Sequence, residues 1–182
     1  DDVFVDLRDG VAVNRPSLIG QVQDLLPTTV AVEFNDVVAL ESALRAGDIA
    51  CVLAEPVMTN IGMVRDASGY LETLRQLCSE TGTLLVFDET HTISSGYGGH
   101  SNTHGPKPDI MVVGKSIGGG VPCAVYGFTA QISARMEALN KARPAGHSGI
   151  GTTLSANALA ITAMHAMLGQ VITRQAYVHM LA

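Results

Sequence analysis

Short, unbroken apolar runs constrain this chain more than any other feature. "IACVLAEP" (49–56), "TLLVF" (83–87), "DIMVVG" (109–114) and "CAVYGF" (123–128) each span one strand's length without polar alternation. "TTVAVEF" (28–34) is rich in β-branched residues and reads as a further strand. Helical patterns lie between and after them. Asn35 and Asp36 supply helix-start chemistry for a segment that stops at Gly47. Leu71, Leu74, Leu77 and Cys78 recur at helical spacing within 68–82, and Gly82 ends that segment. Further helices are predicted near 130–141, 155–168 and 171–181. A strand that is apolar on both sides must be buried on both faces. The expectation is therefore α/β: a mostly parallel sheet covered by helices, forming one domain or most of one. In such sheets ligands sit beyond the carboxyl ends of the strands. Glu55, Asp88 and Lys115 fall at three such ends.

Composition removes several alternatives. The 182 residues carry a net charge of −6 with no basic run, which argues against a nucleic-acid partner. A hydrophobic content of 47% argues against disorder. Cys51, Cys78 and Cys123 lie far apart in apolar stretches and read as reduced core thiols of a cytoplasmic protein. Neither a signal peptide nor a membrane-length apolar run is visible. The first residue is Asp1, and the chain reads as a fragment that enters mid-domain.

Two chemistries are suggested and then weakened by their own spacing. "GKS" (114–116) and "DETH" (88–91) resemble pieces of a nucleotide-triphosphatase. A phosphate-cradling loop, however, needs a glycine where Asp109 stands, and residues 110–113 are the apolar "IMVV". His91, His100 and His104 raise a metal, but no HExxH or cysteine pair supports one. The glycines and Pro106 around His100 and His104 make loop histidines facing solvent the simpler reading, and no metal site is assigned.

A third chemistry uses Asp88 and Lys115 together. They are one strand-to-strand excursion apart and would face one crevice. Pyridoxal 5'-phosphate (PLP) enzymes need such a pair: a lysine amine that forms a Schiff base with the cofactor aldehyde, and a carboxylate that keeps the pyridine nitrogen protonated. The glycine run 118–120 would let backbone approach the cofactor closely. Blander readings stand beside these. Lys115 could be a surface lysine and Asp88 a turn or cap residue. Thr153 could be the N-cap of a helix starting near Ser155, and Glu55 a strand-end ion-pair residue.

Four segments carry a resemblance. "GKSIGGGVPCAVYG" (114–127) is similar to the lysine segment of class III (fold-type I) PLP-dependent aminotransferases, and "LLVFDETHT" (84–92) to their aspartate segment. "VLAEPV" (52–57) resembles their glutamate-proline strand end. "GTTLSANALA" (151–160) resembles their threonine segment, particularly in the glutamate-1-semialdehyde aminomutase-like branch. All four occur in the family's order.

The resemblance implies the central part of a large PLP-binding domain, with the N-terminal segment and the small C-terminal domain outside this chain and the fragment alone inactive. It implies amino-group transfer between an amine or amino acid and a keto acid or aldehyde, or the aminomutase variant. Lys115 would carry the Schiff base and shuttle protons, and Asp88 would pair with the pyridinium. Thr153 would bond the cofactor phosphate of a neighbouring subunit in a homodimer, and Glu55 would support the site. A truncated, non-catalytic dimerisation fragment is the alternative. Two positions depart from the usual pattern: Thr90 stands where a valine often packs on the ring, and His91 where glutamine or methionine is frequent. His91 could donate to the cofactor's phenolic oxygen or simply bond to nearby backbone. Asn60 replaces the second glutamate of ornithine- and GABA-type members, as it does in aminomutase-like ones.

Overall fold

The Asp-Gly pair at 9–10 turns the chain back on itself in a computed structural model, which describes residues 5–16, 23–144, 146 and 151–182. Asp9 and Gly10 both adopt left-handed backbone (φ 51° and 76°), the turn whose twist suits a two-residue hairpin. They join β1 (Val5–Arg8) to β2 (Val11–Asn14), paired antiparallel from Val5↔Asn14 to Arg8↔Val11. The sequence reading did not include this hairpin. Its signal was present, since Asp-Gly between short alternating runs is a strong hairpin cue.

The chain divides into two compact units, 1–51 with 57–83, and 52–56 with 84–182. The first contains the hairpin and a helical pair. In α1 (Val37–Arg45) Asp36 caps the start by accepting from the Ala39 N–H at 2.9 Å. The helix stops where Gly47 turns left-handed at φ 80°. Asn35 does not cap; its amide instead accepts from Ala67 N–H (2.7 Å) and donates to the Arg65 carbonyl (3.0 Å). Helix α2 (Tyr70–Thr81) buries Tyr70, Leu71, Leu74, Leu77 and Cys78, and Gly82 closes it in the left-handed conformation. Leu40 and Leu44 of α1 are buried, and the two helices pack together. The strand expected over 28–34 does not form. A 3-10 turn takes Leu26–Thr28, and the residues after it pair with no strand among the described residues. β-branched residues favour extended backbone, but a strand also requires a neighbour to complete its ladder.

The second unit holds a four-stranded, mostly parallel sheet in the order β3-β4-β5-β6. Its strands are β3 (Cys51–Ala54), β4 (Leu84–Asp88), β5 (Ile110–Gly114) and β6 (Ala124–Phe128). β4 and β5 run parallel with Asp88 opposite Val112, and β6 returns antiparallel on β5. Asp109 fastens one end: its N–H donates to the Leu85 carbonyl, its carbonyl accepts from the Thr129 N–H, and its carboxylate accepts from the Leu85 N–H at 2.8 Å. That position is therefore the root of a strand and not a phosphate loop.

Helices α3 (His100–Thr103), α4 (Ala130–Ala142), α5 (Ala158–Ala166) and α6 (Arg174–Met180) follow, with a π-turn over Met167–Val171. The expectation of cover on both faces holds only in part. Leu85 and Phe87 of β4 are fully buried, whereas every residue of edge strand β6 is exposed. The cysteines also differ from expectation. Cys78 is a core thiol, Cys123 is half-buried, and Cys51 is exposed on the outward side of β3. Among the described residues, no helix is long and apolar enough to cross a membrane.

Candidate active site

Strand β4 ends in Asp88, and the polar string begins there. The Glu89 N–H still donates to the Val112 carbonyl (2.8 Å), so the ladder continues one residue past the strand. Asp88 Oδ1 accepts from the Thr90 N–H at 2.8 Å, an Asx turn that swings the chain off the sheet. The turn role read from sequence is thus real, and it fixes the carboxyl group at the strand's carboxyl end.

Glu89 then points into the unit and is completely buried. One of its oxygens accepts from the His100 N–H (2.6 Å) and the Thr92 hydroxyl (3.0 Å). The other accepts from the Ser101 N–H (2.8 Å) and, closely, from the Ser101 hydroxyl. An ionised carboxylate offers only acceptors, and here four donors converge on it. Gly99 completes the cage: a Cβ there would lie 2.4 Å from Glu89 Oε2. The sequence marks Glu89 only as a supporting residue beside Asp88, without partners. The donors that satisfy it come from a glycine-rich loop whose path no local pattern predicts.

That loop is also tied down from the far end of the unit. Tyr177 of α6 is buried and donates its hydroxyl to the Ile93 carbonyl at 2.5 Å. Its ring meets Tyr97 edge-on at 6.0 Å, and the Arg174 guanidinium lies 4.3 Å over the Tyr97 ring. Burial, then the nearby charge of Glu89, pushes the Tyr177 phenol above its ordinary value.

Lys115 starts a 3-10 turn, Lys115–Gly118, directly after β5. Its backbone is left-handed at φ 51°, a conformation a side-chain-bearing residue adopts only when its surroundings impose it. Ile117, fully buried, anchors that turn. Gly114 before it is hemmed in, since a Cβ would lie 3.4 Å from both Ala124 Cβ and the Cys123 carbonyl. The lysine side chain is exposed, and its Nζ lies 2.5 Å from His91 Nε2. The structure therefore brings two of the predicted residues, His91 and Lys115, into direct contact, and it sets Asp88 on the adjacent parallel strand. Thr90 is half-buried, with its methyl 3.8 Å from where a Gly114 Cβ would be.

The remaining positions are placed as follows. Glu55 follows β3, the neighbour of β4 in the sheet. Asn60 is exposed in a turn of the other unit, beside the Met58↔Val64 bridge. Thr153 is exposed ahead of α5, the helix that packs on the turn after Lys115. It is not the N-cap. Asn157 takes that role by accepting from the Ala160 N–H at 2.9 Å, because the helix begins at Ala158, three residues later than expected. Two of the three glycines after Lys115 pack closely against protein atoms: a Cβ on Gly118 would meet Cys123 Sγ at 2.7 Å, and one on Gly119 would meet Met167 Sδ at 2.7 Å, whereas Gly120 is open and left-handed at φ 98°. His100 begins a one-turn helix in place of the expected loop and is half-buried, while His104 is exposed with its ring 5.6 Å from that of His100.

An amine in contact with an imidazole, with a carboxylate at the end of the adjacent parallel strand, offers a nucleophile and proton-transfer groups at one end of the sheet. Comparison with known proteins gives the family. The family model "Aminotransferase class-III" matches residues 12–180. A glutamate-1-semialdehyde 2,1-aminomutase from Desulfotalea psychrophila is 39% identical over 92% of this chain and 39% of its own length. The crystal structure of a glutamate-1-semialdehyde-aminomutase from Pseudomonas aeruginosa PAO1 superposes with a TM-score of 0.88 at 43% identity, covering 97% of this chain and 40% of that one. A variant of that enzyme in complex with PMP superposes equally well, at 42% identity over the same shares. The chain thus spans about 40% of the length of these relatives. With a family model matched almost end to end and a solved relative superposing at a TM-score of 0.88 with 43% identity, this chain belongs to the class-III aminotransferases.

Proposed function

We propose that this protein transfers an amino group between an amine or amino acid and a keto acid or aldehyde, using PLP. The observation that carries the reading is the left-handed Lys115 directly after β5, its amine exposed beside His91 and one parallel strand from Asp88. The residues fit the cofactor chemically. Lys115 would hold its aldehyde carbon, Asp88 its pyridine nitrogen, and Thr90 and His91 its ring edge. Thr153 would hold its phosphate from the neighbouring subunit of a homodimer. Glu55 would support the same strand ends, and Asn60 would leave the substrate side without a second carboxylate. When bound, the protonated pyridine ring withdraws electrons and stabilises negative charge at the substrate's Cα.

The chain's own residues then have distinct tasks. Asp88 keeps the ring nitrogen protonated, because a fixed carboxylate favours its cationic form. When not bonded to the cofactor, the Lys115 amine would take a proton at the substrate's Cα and return it at the cofactor's aldehyde carbon. The sheet and the caged loop hold both groups in register, which converts chance encounters into a positioned reaction. No helix among the described residues could cross a membrane, in keeping with a cytoplasmic enzyme acting on small molecules.

The aminomutase reaction, in which donor and acceptor are one carbon skeleton, is the second reading. It is favoured by the similarity to two glutamate-1-semialdehyde aminomutases and by Asn60. The test uses full-length protein incubated with PLP and then borohydride. A visible absorption band before reduction, and a stable cofactor adduct on the Lys115 peptide after it, are expected. A colourless protein with no adduct at Lys115 refutes the assignment. A screen of donors and acceptors, followed by cofactor absorbance, separates transfer between two molecules from rearrangement of one.

A further inference from the structure

A lysine exposed at a strand end has a long, flexible side chain and many available rotamers. Lys115 nevertheless has its amine 2.5 Å from one ring nitrogen of His91, so that contact selects where the amine lies. The selection is useful only if His91 is itself fixed, and the structure fixes it from several directions. Its carbonyl accepts from both the Ser94 N–H (3.2 Å) and the Ser94 hydroxyl (2.8 Å). The next residue, Thr92, is buried and bonded to Glu89. Ile93 donates its N–H to the Glu89 carbonyl (2.7 Å), and its own carbonyl is held by Tyr177. The chain on both sides of His91 is therefore clamped by a buried carboxylate and a buried phenol.

We propose that His91 positions the Lys115 amine, and that the Glu89–Tyr177 clamp serves to hold His91 for this purpose. The neutral imidazole has one nitrogen with a lone pair, and Lys115 donates to it when that nitrogen is Nε2. A hydrogen-bonded amine held at one place reaches a carbonyl carbon more often than one sampling the solvent. The consequence for amino transfer rests on the reading of Lys115 as the cofactor lysine. The contact itself does not depend on that reading.

Two measurements on the full-length protein test this. The first uses cofactor-free protein labelled with 15N-histidine. The His91 signal is identified by its loss in His91→Leu, and Lys115→Met should move the His91 imidazole nitrogens while leaving the other histidines in place. Unmoved His91 nitrogens overturn the proposal. The second follows covalent capture of PLP by absorbance. Capture should slow roughly fivefold in His91→Leu, the value of one ordinary hydrogen bond, and recover in His91→Gln, whose amide oxygen can accept from the amine. Capture by His91→Leu at the wild-type rate overturns the proposal, as does failure of His91→Gln to recover. If wild-type protein captures no PLP, the functional reading fails while the nitrogen shifts still decide the contact.

Discussion

Replacing Glu89 is the most direct test of how the site is built. Its two oxygens each accept one backbone N–H and one hydroxyl. The Thr92 and Ser101 hydroxyls can rotate to other acceptors, but the His100 and Ser101 N–H groups are fixed by the backbone. Glu89→Gln keeps one acceptor oxygen and turns an NH2 toward the other pair, so one buried N–H is orphaned, at a cost of about 1–3 kcal/mol. Glu89→Ala orphans both and leaves a void, for about 2–6 kcal/mol. Against a typical total stability of about 5–15 kcal/mol, the alanine variant should be severely compromised and the glutamine variant measurably so. Urea unfolding of the full-length protein, compared at constant slope, reads both values. The expected order is wild type, then Gln, then Ala. Equal losses for Gln and Ala, or a Gln loss below about 0.5 kcal/mol, would refute the claim that the fixed N–H pair needs a carboxylate.

Three further outcomes follow from the same geometry. Tyr177→Phe removes the buried bond to the Ile93 carbonyl and should cost about 1 kcal/mol in the same unfolding measurement. The Tyr177 pKa is raised in the folded protein, so its contribution is complete below about pH 10, where unfolded tyrosine begins to ionise, and is lost as pH climbs through the folded value. Unfolding midpoints taken from pH 8 to pH 11 should therefore fall less steeply in the Phe variant. Gly99→Ala places a methyl against Glu89 Oε2 on a backbone at φ 81° and should destabilise by more than about 1 kcal/mol, read as a lower unfolding midpoint. Asp88→Asn retains an oxygen for the Thr90 N–H but loses the charge, so the protein should still fold and capture PLP. Its amino-transfer rate, followed by cofactor absorbance, should drop by roughly 100-fold.

Much of this arrangement was legible beforehand. The strand ends at Asp88 and Lys115, the amphipathic face of α2 with its Gly82 stop, and the Asp36 cap all appear where local chemistry puts them. The misreadings have local causes as well. The 28–34 segment has strand composition but no pairing neighbour among the described residues. The Asp9-Gly10 hairpin has a sufficient local cue in its turn pair but lies outside the expected elements. A helix start near Ser155 follows from reading Thr153 as a cap, whereas Ala156 bends left-handed first (φ 59°) and Asn157 caps instead.

Sequence alone determined the alternation of strands and helices, the residue types at the strand ends, and the family. Each of these depends on side-chain size, backbone preference and order along the chain. Tertiary structure decided which of the polar residues serve each other. Glu89 finds its donors in His100 and Ser101, His91 meets Lys115 across two strand ends, and Tyr177 reaches back to Ile93. Such partnerships join residues far apart in the chain, and only the pairing of β4 with β5 and the docking of α6 bring them within hydrogen-bonding distance.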